Sequence, residues 1–122
     1  MINGKLEQFL DTGWFSEATL FFDGNVYWFE GDTNPHTRET EFAVTRWKAI
    51  LDNKYLFHSI CLPNGDPLDY DTVLSLHGYD MDEIKMRFLK SPVFNGKTFW
   101  EVERELVWVE EGTPIISNVE TR

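Results

Sequence analysis

Up to about residue 79 the apolar side chains tend to alternate with polar ones, and beyond it they recur every three to four positions. That change of period predicts a sheet followed by helices. The clearest local signal is SEATLFFDGNVYWFEGD, where Asp23-Gly24 stands between two runs rich in aromatic and β-branched residues. Asp-Gly is favoured where both turn residues need positive φ, so the segment predicts a β-hairpin. A two-residue loop sets Phe21 against Val26, Leu20 against Tyr27 and Thr19 against Trp28. One face then collects Ala18, Leu20, Phe22, Tyr27 and Phe29, and the other Glu17, Thr19, Phe21, Val26, Trp28 and Glu30. A three-residue loop that includes Asn25 exchanges the faces of the second strand. Both faces are partly apolar in either register, which predicts a strand pair covered on both sides or an exposed aromatic patch.

The remaining elements follow from similar signals. Asn3 is placed to cap a short helix running through Leu10, with Leu6, Phe9 and Leu10 on one face and Gly13 ending it. TEFAVTRWKAIL reads as a strand because Phe42, Val44, Thr45, Trp47 and Ile50 favour extended backbone. Asp52-Asn53-Lys54 makes a turn into YLFHSICL, so a further antiparallel hairpin is expected, and a strand from Thr72 to about His77 completes a meander. Asp80, with Glu83 three residues on, opens a helix through MDEIKMRFLK whose stripe is Met81, Ile84, Phe88 and Leu89, and Ser91-Pro92 stops it. Thr98 and Glu101 form a T-x-x-E capping box for a second helix, with Phe99, Val102, Leu106 and Val109 on one face. Gly112-Thr113-Pro114 ends that helix, and Ile115-Ile116 adds a short edge strand. The expected fold is α+β: an antiparallel sheet of four to five strands with an N-terminal helix and two C-terminal helices packed on it, one domain over residues 1–122.

Composition adds a charge problem to this frame. The chain carries 21 acids against 11 bases, a net charge of −10 that exceeds what solubility asks of a small domain. Phosphate backbones and anionic membrane surfaces are therefore poor partners. No uninterrupted apolar stretch is long enough for a membrane helix, the opening MINGKLEQFLDTG lacks the apolar core of a signal peptide, and Cys61 stands alone, so a reducing cytosol is the expected location. The excess is uneven. Residues 1–79 hold 12 acids and 5 bases, net −7, and residues 80–122 hold 9 acids and 6 bases, net −3. Glu101, Glu103, Arg104 and Glu105 compensate one another in part, whereas Asp66, Asp69 and Asp71 have no basic neighbour in the nearby sequence. Together with Asp80, Asp82 and Glu83 they are expected to form an acidic rim at one end of the sheet, fit for a basic protein.

The chemistry of catalysis finds little to hold. The sequence has no Gly-rich phosphate loop, Cys-x-x-Cys pair, H-E-x-x-H pattern or Gly-x-Ser-x-Gly elbow. His36, His58 and His77 are far apart in sequence; adjacent strands would be needed to bring His58 and His77 together, and a metal site needs more ligands than that. No cofactor is expected, and the expected class is a non-enzyme. Among the carboxylates, Glu30 after VYWF is the best placed to be perturbed, but the position reads first as a strand-end charge at the solvent boundary. The 10 Phe, 5 Trp and 4 Tyr supply most of a core, yet Trp28, Trp47, Trp100 and Trp108 are hard to hide together. Exposed Trp beside acids is a composition typical of binding surfaces.

The aromatic hairpin ATLFFDGNVYWFE, the run FAVTRWKAIL and the tail NGKTFWEVERELVW followed by EEGTPII, in a small acidic chain, resemble a bacterial immunity protein of the contact-dependent growth-inhibition or polymorphic-toxin type. That resemblance implies a cytosolic protein that binds and neutralises a cognate toxin domain, often a basic nuclease. The surface expected to do so comprises Asp66, Asp69, Asp71, Asp80, Asp82, Glu83, Trp28, Glu30 and Trp47. A small enzyme or ligand-binding domain, with an aromatic pocket between sheet and helices, is the alternative. Mimicry of DNA would need acids spaced like phosphates along one face, and this chain spreads them unevenly.

Overall fold

Asp23 and Gly24 both take positive φ, 48° and 82°, and close the first hairpin as a two-residue turn. The fold was obtained as a computed structural model, which describes residues 1–52, 55–57 and 69–110. Helix α1, Leu6–Asp11, leads through a 3-10 turn at Gly13–Phe15 into β1, Ser16–Phe22, and β2, Asn25–Thr33. The register is Phe21 opposite Val26, Leu20 opposite Tyr27 and Thr19 opposite Trp28, the two-residue-loop alternative of the two that the sequence leaves open. Strand β3, Thr40–Lys48, is followed by the short β4, Ile50–Asp52, and β5, Tyr55–Phe57, then β6, Asp71–Gly78. Helix α2, Met81–Lys90, helix α3, Phe99–Val102, and β7, Val107–Trp108, complete the described chain. All ladders of the five-stranded sheet are antiparallel, in the order β6-β3-β2-β1-β7, so the α+β expectation holds. Among the described residues no helix is long and apolar enough to cross a membrane.

The side chains that alternate inward from the strands meet the helices on one sheet face. Ala18, Leu20 and Phe22 from β1, Tyr27 and Phe29 from β2, Phe42 and Val44 from β3 and Leu76 from β6 pack against Phe9, Ile84, Phe88 and Phe99. Phe9 of the short helix sits among four rings, 5.4 Å from Phe29, 5.3 Å from Phe99, 6.3 Å from Phe88 and 6.0 Å from Trp108. Such pairs add about 0.5–1.5 kcal/mol each beyond the area they bury, which helps a six-residue helix hold its place. The opposite face carries its own cluster, Phe21, Val26, Trp47, Val107 and Val109, all buried, with Ile2, Trp28 and Ala49 against it. The two apolar faces of the hairpin are therefore each part of a core.

Four local expectations need correction. Asn3 does not cap α1: it takes a φ of 60°, and Lys5 occupies the cap position. The long strand TEFAVTRWKAIL breaks after Lys48, where the Ala49 amide donates to the Gly24 carbonyl at 3.0 Å, and β4 pairs with β5 as a separate two-stranded hairpin. β3 pairs instead with β6, from Thr40 opposite Gly78 to Arg46 opposite Asp71, because that register sets Val44 beside Leu74 and Phe42 beside Leu76 over the helices. The second C-terminal helix stops at Val102, passes through a 3-10 turn at Glu103–Glu105 and becomes β7. Val107 and Trp108 lie against opposite sheet faces, and Val109 donates its amide to Thr19 at 2.8 Å. Residues 112–116, expected to end that helix and form an edge strand, lie outside the described residues, as do Asn53 and Lys54 of the second turn, His58 and Cys61.

Candidate functional site

Period-two alternation that sends Phe29 and Gly31 toward the helices sends Glu30 and Asp32 to the opposite face. The loop from Asn34 to Glu39 then folds back tightly. The Asn34 side-chain oxygen accepts from the amides of His36, at 2.8 Å, and Thr37, at 3.2 Å, and Arg38 adopts a left-handed φ of 66°. Such short side-chain bonds to nearby backbone are how Asn shapes a turn. On return, Thr40 pairs with Thr33, their hydroxyls 2.8 Å apart on the helix side, which fixes Glu41 directly opposite Asp32 on the outer face. Glu41 in turn stands opposite His77 of β6, whose Nδ1 lies 3.2 Å from the Glu39 carboxylate. Glu30, Asp32, Glu41 and His77 line a shallow groove of about 260 Å³ floored by Gly31, Ala43 and Ser75.

Gly31 permits a close approach from beneath. A Cβ at that position would fall 2.2 Å from the ring of Phe15, which lies across the strand on the helix side, so only glycine fits. Like charges directly opposite on one sheet face repel, and Asp32 and Glu41 are such a pair. Around them the end of the sheet is strongly acidic. Residues 32–41 and 77–83 contain six acids, Asp32, Glu39, Glu41, Asp80, Asp82 and Glu83, against one arginine, Arg38.

The residues singled out from the sequence divide into three groups. Asp80, Asp82 and Glu83 belong to this acidic end, since Gly78 pairs with Thr40 and α2 begins at Met81. Asp80 is also the cap of α2, where its carboxylate accepts from the amides of Asp82, at 3.0 Å, and Glu83, at 3.3 Å. Glu30 is exposed on the outer face, toward the same groove.

Asp69 and Asp71 lie elsewhere. Asp71 begins β6, whereas Asp80 follows its end, so about 25 Å of extended strand separates the two. One rim does not hold both. Nor is Asp71 without a base: β3 brings Arg46 across the ladder, and its guanidinium donates to the carboxylate at 3.2 Å. Arg46, Trp47, Asp69 and Asp71 instead share a second cleft of about 440 Å³ with Asn25, Lys48 and Tyr70. Asp66 lies outside the described residues.

The two tryptophans form the third group. Trp28 is half-buried and its ring meets Trp47 edge-on, with centroids 6.5 Å apart. Trp47 is only 3% exposed, so it is a packing residue of the second cluster rather than a surface anchor, and its buried indole N–H has no hydrogen-bond partner among the described residues. Trp100, by contrast, is 54% exposed on α3.

Sequence reasoning passed over Asp32, Glu39 and Glu41, and weighed His77 only as a metal ligand. The signal was available: Glu30 and Asp32 are two apart in a strand, and Glu41 returns to the same face once the hairpin register is known. Among the described residues, no group of three or more His, Cys, Asp or Glu side chains is arranged to hold a metal. Between sheet and helices, where a ligand pocket would have to open, the rings of Phe9, Phe88, Phe94 and Phe99 contact one another. The arrangement can attract cations and basic side chains over a broad face. A scan against protein-family models and searches of curated proteins and of solved structures find no match to the chain.

Proposed function

We propose that this chain is a binding protein, an immunity-like inhibitor that neutralises a basic, nuclease-type toxin domain by docking it on the acidic end of the sheet. The observation that carries the reading is the placement of Glu41 between Asp32 and His77, with Glu30 and Glu39 alongside. A folded protein gains nothing in stability from setting two carboxylates opposite each other. A cationic partner would relieve that repulsion, so stability given up in the free protein returns as affinity in the complex. The partner's basic residues would otherwise hold phosphates, and the carboxylates take their place. Long-range attraction would raise the association rate, and contacts buried on docking would slow dissociation.

Affinity purification of the chain from its native cells tests this reading. A stoichiometric basic protein should come down with it, expression of that protein alone should arrest growth, and adding the chain should restore growth. Recovery of no stoichiometric partner, or of one whose expression is harmless, would contradict the proposal.

A further inference from the structure

We propose that the outer edge of β6 accepts an extended, basic segment of the partner as a sixth strand of the sheet, an inference that rests on the reading of the acidic end as the docking face. The two edges of the five-stranded sheet are unlike. β7 is two residues long, and Ile2 lies alongside it: the Ile2 amide donates to Leu106 and the Ile2 carbonyl accepts from Trp108, each at 2.8 Å. β6 is eight residues long, and among the described residues only β3 pairs with it. Along such an edge every second residue turns its N–H and C=O outward, a ready template for another chain.

Natural edges are usually guarded by lysine, proline, a bulge or a charge pointing inward. β6 has no lysine or proline, and its one irregularity, at Val73, leaves Leu74 to Gly78 in regular register with β3. The charge beside this stretch selects the occupant. A strand added at the usual spacing of about 4.8 Å would set alternate side chains next to Ser75 and His77 on the outer face. Glu39 already reaches over His77 at 3.2 Å, and Glu41 is one strand further in. Lysine or arginine at those alternate positions would meet carboxylates, whereas acidic side chains would be repelled. A second copy of this chain brings another −10 of charge and is disfavoured for that reason.

The probe is an acetylated, amidated synthetic peptide of alternating Lys and Thr, about ten residues long, added to the full chain and followed by amide hydrogen exchange. The expected result is slowing of about tenfold or more at the amides of Asp71–Gly78 that point away from β3, with no change at Val107 and Trp108. N-methylation of the peptide's pairing amides should abolish that protection, and Glu41→Gln should weaken binding about threefold. Binding that leaves the β6 amides unprotected, or that survives N-methylation unchanged, would overturn the inference. Failure of the toxin reading would look different. A peptide that pairs with β6 while no partner is recovered from cells removes the toxin and keeps the edge. A recovered partner whose complex leaves β6 unprotected removes the edge and keeps the toxin.

Discussion

Asp32 and Glu41 stand directly opposite each other across the β2–β3 ladder, on the sheet face that the helices leave uncovered. Two carboxylates in that relation cost stability, by an amount that solvent screening keeps on the order of 0.5 kcal/mol. Glu41→Gln should therefore raise the unfolding midpoint in urea while slowing association with a basic partner. Stability and binding moving in opposite directions is the expected outcome; a loss of both would mean that Glu41 is a structural residue.

Gly31 makes a steric prediction on the same strand. Phe15 occupies the space that a Cβ would need, at 2.2 Å, so Gly31→Ala must displace the ring or the strand. Overpacking of this kind costs about 1–3 kcal/mol, readable as a lower thermal midpoint. Phe15→Ala in the Gly31→Ala background should recover part of that loss, because it empties the contested space.

Tyr27 predicts the behaviour at high pH. Burial, the largest influence, pushes its hydroxyl up from the ordinary 10.0, and the nearby Arg46 guanidinium opposes that shift only in part. A folded-state pKa above the unfolded one gives a contribution fully present below about pH 10 and lost as pH rises through the folded value. Absorbance titration should show the Tyr27 hydroxyl ionising above the ordinary value. Tyr27→Phe should flatten the alkaline limb of the stability curve.

Glu101 makes the acid-side counterpart. The Thr98 amide donates to its carboxylate at 2.9 Å and the Thr98 hydroxyl at 3.1 Å, which holds its pKa below the ordinary 4.5. The contribution is present above the unfolded value and disappears as pH falls through the folded one. Glu101→Gln should thus lose stability near neutrality and show a shallower acid limb, measured by urea unfolding at a series of pH values.

What the sequence disclosed depended on how local each signal was. The Asp23-Gly24 turn, the faces of its two strands, the Asp80 cap and the Thr98–Glu101 pair are written within a few residues of one another, and all are found. The partner of β3 was not local. YLFHSICL is nearer in sequence than Thr72–His77, but only pairing with β6 brings Leu74 and Leu76 over the helices. Leu106 to Val109 was ambiguous for a different reason, since Leu106 stays buried whether the turn continues as helix or opens into a strand. The acidic end was half legible: Glu30, Asp80, Asp82 and Glu83 stood out, whereas Glu39, Glu41 and His77 join them only through cross-strand register. Asp71 misled because sequence neighbours do not reveal the arginine on the adjacent strand.

Steering of a basic partner by the acidic end is read most directly from the association rate of the protein that co-purifies with the chain, followed from about 0.05 to about 0.5 M salt. A fall of about tenfold or more in the association rate with little change in the dissociation rate is expected, and a shallower dependence when Asp32 and Glu41 are both made neutral. An association rate indifferent to salt, or equally salt-dependent with those two charges removed, would contradict it.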